Sequence, residues 1–172
     1  MKKIYLGFVL MLASMGVVHA DFNDGVVAYL MGDYEQAFTT MQALAETSNH
    51  GYAQYYLGIM YEKGQGVEPD HKLSGEWFRK AAENRVPQAQ YKIGELYMQG
   101  IGVPRDYEFA YAWFSVGAEH KHEKSVTALS KVMEKLSGEE LAEAEKLSAT
   151  YIEKYGPREE ADPNKPIKIE NE

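Results

Sequence analysis

The chain contains no cysteine. That excludes disulfides, thiolate metal sites and cysteine nucleophiles, so the fold rests on burial alone. Basic residues are also scarce: 18 Lys and Arg stand against 26 Asp and Glu, for a net charge of −8. Two of those 18 are Lys2 and Lys3, and no basic run occurs elsewhere. An acidic chain of this kind is a poor ligand for nucleic acid or anionic lipid. Long apolar runs are missing as well. The stretch from Ile4 to about Leu12 falls short of the ~20 residues a membrane span needs.

That stretch belongs to a recognisable leader. Residues 1–20, MKKIYLGFVLMLASMGVVHA, join a Lys2-Lys3 start to an apolar core and a Val18-His19-Ala20 end. This is the pattern of a secretory signal peptide cleaved after Ala20. The expected product starts at Asp21, is exported to the periplasm, and has no membrane span after cleavage. What remains is long enough for one domain with its own core.

Strand patterning is absent, and in its place the sequence repeats itself. YEKGQGVEPD, from Tyr61, returns as YMQGIGVPRD from Tyr97, 36 residues on. At this offset Ala53, Gln54, Tyr55, Gly58, Tyr61, Gly64, Gly66, Val67, Asp70, Trp77, Phe78, Ala82 and Glu83 all recur. Their copies are Ala89, Gln90, Tyr91, Gly94, Tyr97, Gly100, Gly102, Val103, Asp106, Trp113, Phe114, Ala118 and Glu119. Chance would give about two identities, so this is an internal repeat. Each unit reads as two helices. Ala53, Leu57, Gly58 and Tyr61 form the core stripe of the first. Leu73, Trp77, Ala81 and Ala82 do so in the second, with both tryptophans expected in the core and Asp70 as N-cap.

The glycine-rich loop has two readings, a phosphate cradle or a corner. A dinucleotide loop follows a strand and has a third glycine; this one follows a helix and has two. Gly64 and Gly100 suit a left-handed helix end, and Gly66 and Gly102 a tight return, with Val67 and Val103 plugging the corner.

A shortened copy precedes the repeat, at about residues 22–52, and full units cover 53–88 and 89–124. Residues 125–156 read as a cap: a helix over Glu123–Leu136, then a Ser137–Glu140 capping box. That box opens a last helix with Leu141, Ala144, Leu147, Tyr151, Ile152 and Tyr155 on one face. The Pro-rich, charged residues 157–172 read as a disordered tail.

These motifs identify a resemblance. Ala-x-x-x-Leu-Gly-x-x-Tyr-x-x-Gly-x-Gly-Val-x-x-Asp, followed by Trp-Phe and Ala-Ala-Glu, resembles the Sel-1-like repeat, a branch of the tetratricopeptide-like α-solenoids. The resemblance implies an all-α fold, a short right-handed α-solenoid of antiparallel helix pairs with a C-terminal capping helix. It implies a non-enzymatic adaptor in the bacterial envelope that binds a peptide or protein on a concave face lined by first helices. A cysteine-rich branch of the family binds or hydrolyses β-lactams. A cell-wall hydrolase or β-lactam-binding protein is therefore the alternative, although this chain lacks that branch's cysteines.

A second stripe on the first helices marks the candidate partner site: Tyr52, Tyr55, Ile59 and Glu62, then Gln88, Tyr91, Glu95 and Met98. The next would be Lys124, Thr127, Lys131 and Glu134, which is polar, so the aromatic part centres on two adjacent helices. Tyrosine suits a peptide groove through its large area at low entropic cost. The competing reading packs these tyrosines against second helices, and for Tyr52 packing is the expectation. No cofactor or catalytic residue is expected. His120-Lys121-His122 is the one metal-like cluster, but no third ligand stands at motif spacing, and a solvated linker is the expectation. His50 and His71 are expected to be exposed at helix borders.

Overall fold

Helix ends are written into the chain at regular intervals, and the backbone obeys them. The computed structural model describes residues 21–158; the expected leader and all but the first two residues of the expected tail lie outside the described residues. Among the described residues there are eight helices and no strands. They are α1 (Phe22–Met31), α2 (Tyr34–Thr47), α3 (Gly51–Lys63), α4 (His71–Glu83), α5 (Pro87–Gln99), α6 (Tyr107–Glu119), α7 (Glu123–Met133) and α8 (Gly138–Tyr155). None of these is long and apolar enough to cross a membrane.

Carboxylates start four of the eight helices. Asp21, Asp33, Asp70 and Asp106 each accept a backbone N–H of the turn they precede. Ser137 and Glu140 form the capping box of α8, and each such cap contributes ~1 kcal/mol. Gly64 and Gly100 end α3 and α5 in the left-handed region. Gly66 and Gly102, at φ +71° and +70°, have a second reason to be glycine. A Cβ there would collide with the carbonyl of Tyr34 or His71, the first residues of α2 and α4. The corner of one unit is thus seated on the start of the second helix of the unit before. Val67 and Val103 pack inward from these corners.

The junctions between units are less comfortable. Asn49, Arg85 and Lys121, spaced 36 apart, follow α2, α4 and α6 at φ 52°, 61° and 59°. A side chain in that region costs ~1 kcal/mol relative to glycine. Lys121 is exposed, and Lys121→Gly is expected to raise stability by ~0.5–1 kcal/mol and the melting temperature by about 2 °C. A lower melting temperature would mean the lysine makes a contact worth more than its strain.

Between first and second helices, glycine meets a flat ring. A Cβ on Gly58 would lie 2.6 Å from the Phe78 ring, and one on Gly94 would lie 2.6 Å from Phe114. Both phenylalanines are fully buried, and the recurrence of the Gly and Phe pairs reflects this contact. The tryptophans divide. Trp113 is 2% exposed, within the central cluster of Phe78, Ala81, Ala82, Val86, Ala89, Ile93 and Leu96. Trp77 was expected to match it but is only half-buried, at the edge of the Met41–Leu57 cluster. The Lys80 ammonium lies 4.0 Å from its ring centroid.

The reason is α8, which does not extend the array. It packs along α6 instead of pairing with α7. Leu136 and Glu140 lie beside Arg105–Glu108 at the start of α6, and Tyr155 lies beside Trp113 and His120 toward its end. The two helices therefore run in the same direction. Tyr151 meets Trp113 edge-on at 5.0 Å and Tyr155 stacks on it at 5.3 Å, closing a surface that no helix among the described residues closes at Trp77.

Three side chains hold the end of α8. Arg85 donates through Nε to the Gly156 carbonyl (3.0 Å) and through Nη2 to that of Lys154 (2.9 Å). Gln90 Nε2 donates to the Tyr155 carbonyl (3.2 Å), and His120 Nε2 lies 3.2 Å from the same oxygen. These are groups a helix C-terminus leaves without intrahelical partners. The His120–His122 stretch is consequently not a solvated linker, because both imidazoles are half-buried and engaged.

Candidate functional site

Two first helices, α5 and α7, flank a groove of about 420 Å³. Pro87 at the first turn of α5 presets its start. Ala89, Ile93, Gly94 and Leu96 turn inward, which sends Tyr91, Glu95 and Met98 to the groove wall. On α7, Ser125, Ala128 and Val132 are buried, so Lys124, Thr127 and Lys131 form the facing wall. Phe114 and Ala128 supply an apolar floor, and Glu123 stands at the mouth.

The polar groups are tied to one another. The Tyr91 hydroxyl donates to Glu95 Oε1 at 2.6 Å. Burial, with the bond to that carboxylate second, pushes the Tyr91 phenol up to about 12. The Tyr91 ring lies 5.8 Å from Phe114 and 5.4 Å from the His122 ring, with Lys124 Nζ 6.0 Å from its centroid. His122 Nδ1 lies 3.0 Å from Ser125 Oγ. Burial, and then the Lys124 charge, hold this imidazole below its usual value. The groove thus offers an apolar floor between walls carrying two carboxylates and two ammonium groups. Such a surface can orient a bound segment through paired charges and hydrogen bonds.

The rest of the sequence-marked stripe lies elsewhere. Tyr52 is 44% exposed, with its ring 6.3 Å from Phe22, contrary to the expected packing. Tyr55 is half-buried with its ring 5.8 Å from Phe78, the same relation Tyr91 has to Phe114. Ile59 packs against the central cluster. Lys92 bridges Glu62 (3.3 Å) and Glu95 (3.8 Å), leaving a smaller recess of about 240 Å³ between α3 and α5. Gln88 is half-buried, and its Oε1 is enclosed without a hydrogen-bond partner. The larger of these two openings therefore lies between α5 and α7 instead of between α3 and α5. His50 is not free either: its Nδ1 accepts from Ala53 N at 3.1 Å and its ring stacks on Phe22. His71 is exposed. Among the described residues no three His, Asp or Glu side chains converge as a metal site.

Buried glutamines were missed. Gln54 and Gln90 are 1% and 0% exposed. Gln54 joins Asn49 (2.6 Å) and Asn84 (2.7 Å), and Gln90 holds the α8 end. Their recurrence at the 36-residue offset was the available signal.

Stacked helix pairs with a lateral groove define an α-solenoid repeat protein. Residues 51–85 and 87–122 each match the Sel1 repeat. The chain therefore carries two Sel1 repeats. Solved structures agree. One is c5321, a protective antigen present in uropathogenic Escherichia coli strains and displaying an SLR fold. It is 33% identical with a TM-score of 0.75, over 79% of this chain and 30% of that one. A Sel1 repeat protein from Oxalobacter formigenes is 26% identical with a TM-score of 0.61, over 76% of this chain and 56% of that one. The chain thus spans about a third of the length of the first and just over half of the second. A comparison with curated protein sequences gives no match.

Proposed function

We propose that this protein is a non-enzymatic scaffold that binds a peptide segment of a protein partner in the groove between α5 and α7. The observation that carries this reading is the pairing of Tyr91, Glu95 and Met98 with Lys124, Thr127 and Lys131 across an apolar floor. An extended segment buries side chains on such a floor while its own charges find partners on both walls. The leader-like residues 1–20 support a site of action in the bacterial envelope.

The test uses a photo-crosslinking residue in place of exposed Thr127 in living cells, with exposed Glu143 on α8 as the comparison position. Adducts are expected at position 127 and not at 143. Filling the groove by Thr127→Trp should abolish crosslinking from a neighbouring probe at Lys131 without changing the melting temperature. Equal adducts at 127 and 143, or adducts indifferent to Thr127→Trp, would move the partner off this groove.

A further inference from the structure

The 36-residue repeat places every contact that α8 makes at one address and leaves a related address one unit earlier. Phe109 and Trp113, which face Tyr151, correspond to Leu73 and Trp77. Arg85, Gln90 and His120, which hold the last carbonyls of α8, correspond to Asn49, Gln54 and Asn84. At the later address a helix is seated. At the earlier one, no helix among the described residues takes the place of α8, and Leu73 and Trp77 are only half-buried. The three amide side chains there bond to one another in place of a helix end, with Asn84 Nδ2 reaching both Asn49 Oδ1 (3.1 Å) and Gln54 Oε1 (2.7 Å).

The substitutions between the two addresses also fit a ligand that comes and goes. Where Tyr155 stacks on Trp113, Trp77 carries the Lys80 ammonium at 4.0 Å. Lys80 stands where α6 has the buried Val116. An ammonium beside amide donors complements the partial negative charge at a helix C-terminus. These amides bond to one another and, through Asn84 Nδ2, to the Asn49 carbonyl (3.2 Å), and such bonds can be exchanged for bonds to a helix end at little net cost.

We infer that the α2–α4 face, at Leu73, Trp77, Lys80, Asn49 and Asn84, is a docking site for a helix of a partner protein. The chemistry of that helix is the chemistry of α8: amphipathic, with two aromatic residues four apart in its final turns and an uncapped C-terminal end. This surface is separate from the α5–α7 groove, so a chain could hold an extended segment and a helix at once.

The probe is a fluorescein-labelled synthetic peptide with the sequence of residues 138–156, titrated with the full chain and followed by anisotropy. Saturable binding is expected. It should weaken by about tenfold or more with Trp77→Phe, and likewise with Lys80→Glu, an exposed position whose change leaves the fold intact. The Thr127→Trp variant should bind as the parent does. A peptide with alanine at both tyrosines should not bind. Absence of binding at about 1 mM peptide would overturn the inference. So would binding indifferent to both Trp77→Phe and Lys80→Glu, since the peptide would then be displacing the chain's own α8.

Discussion

Trp113→Ala is expected to cost about 3–5 kcal/mol in urea unfolding, the range for deleting a large aromatic side chain from a core. The indole sits at 2% exposure among seven buried side chains, and α8 is laid over it through Tyr151 and Tyr155. Removing it leaves a cavity bounded by three helices and takes away the surface on which α8 rests. Trp77→Ala should cost only about 1–3 kcal/mol. Trp77 is half-buried, solvent can fill part of the space it leaves, and its cation–π contact with Lys80 is worth about 1 kcal/mol. Equal losses at the two positions would mean that α8 adds nothing to the burial of Trp113.

The second large effect is expected at the corners. Gly102→Ala, and equally Gly66→Ala, should lower stability by more than about 3 kcal/mol. Left-handed backbone geometry alone accounts for ~1–2 kcal/mol of that. The remainder comes from collision with a backbone carbonyl, at His71 or Tyr34, which cannot move without unwinding the start of α4 or α2. Gly32→Ala is the control: its φ is +83°, but nothing lies within 4 Å of the added carbon. It should show the conformational cost alone. If all three substitutions cost the same, the seating of each corner on the preceding unit contributes nothing to stability.

The corners were legible because their requirements are local. Left-handed glycine, an Asp N-cap and an inward valine recur in register, and each has one mechanical meaning. The choice between Trp77 and Phe78 was not local. Adjacent residues at the edge of a helical stripe differ by 100° of rotation, and periodicity alone does not say which points inward. The glycines at 58 and 94 settle it, since each lies under a phenylalanine ring. The face of α8 was readable as apolar, but its destination was not, because that depends on Arg85, Gln90 and His120, which lie 35 to 71 residues from the carbonyls they hold. At the groove, the spacing of Tyr91, Glu95 and Met98 placed one wall. Lys124, Thr127 and Lys131 were read as the polar fading of the stripe, whereas the fold makes them the facing wall. The floor needed Phe114 from another helix, which no single stripe could supply.

Because α8 turns back onto the last full unit, array length and array termination are encoded in the same stretch. Arg85, Gln90, Trp113 and His120 all belong to the final repeat and its junction. A copy of an earlier unit placed after His120 would separate α7 and α8 from these residues and leave the molecule open-ended. One inserted ahead of Arg85 would keep the terminus closed while adding another Trp77-type face. Growth of such a protein is thus polarised: it can gain units from within or from its amino-terminal side, and each gain multiplies the faces on offer without altering the lock at the other end.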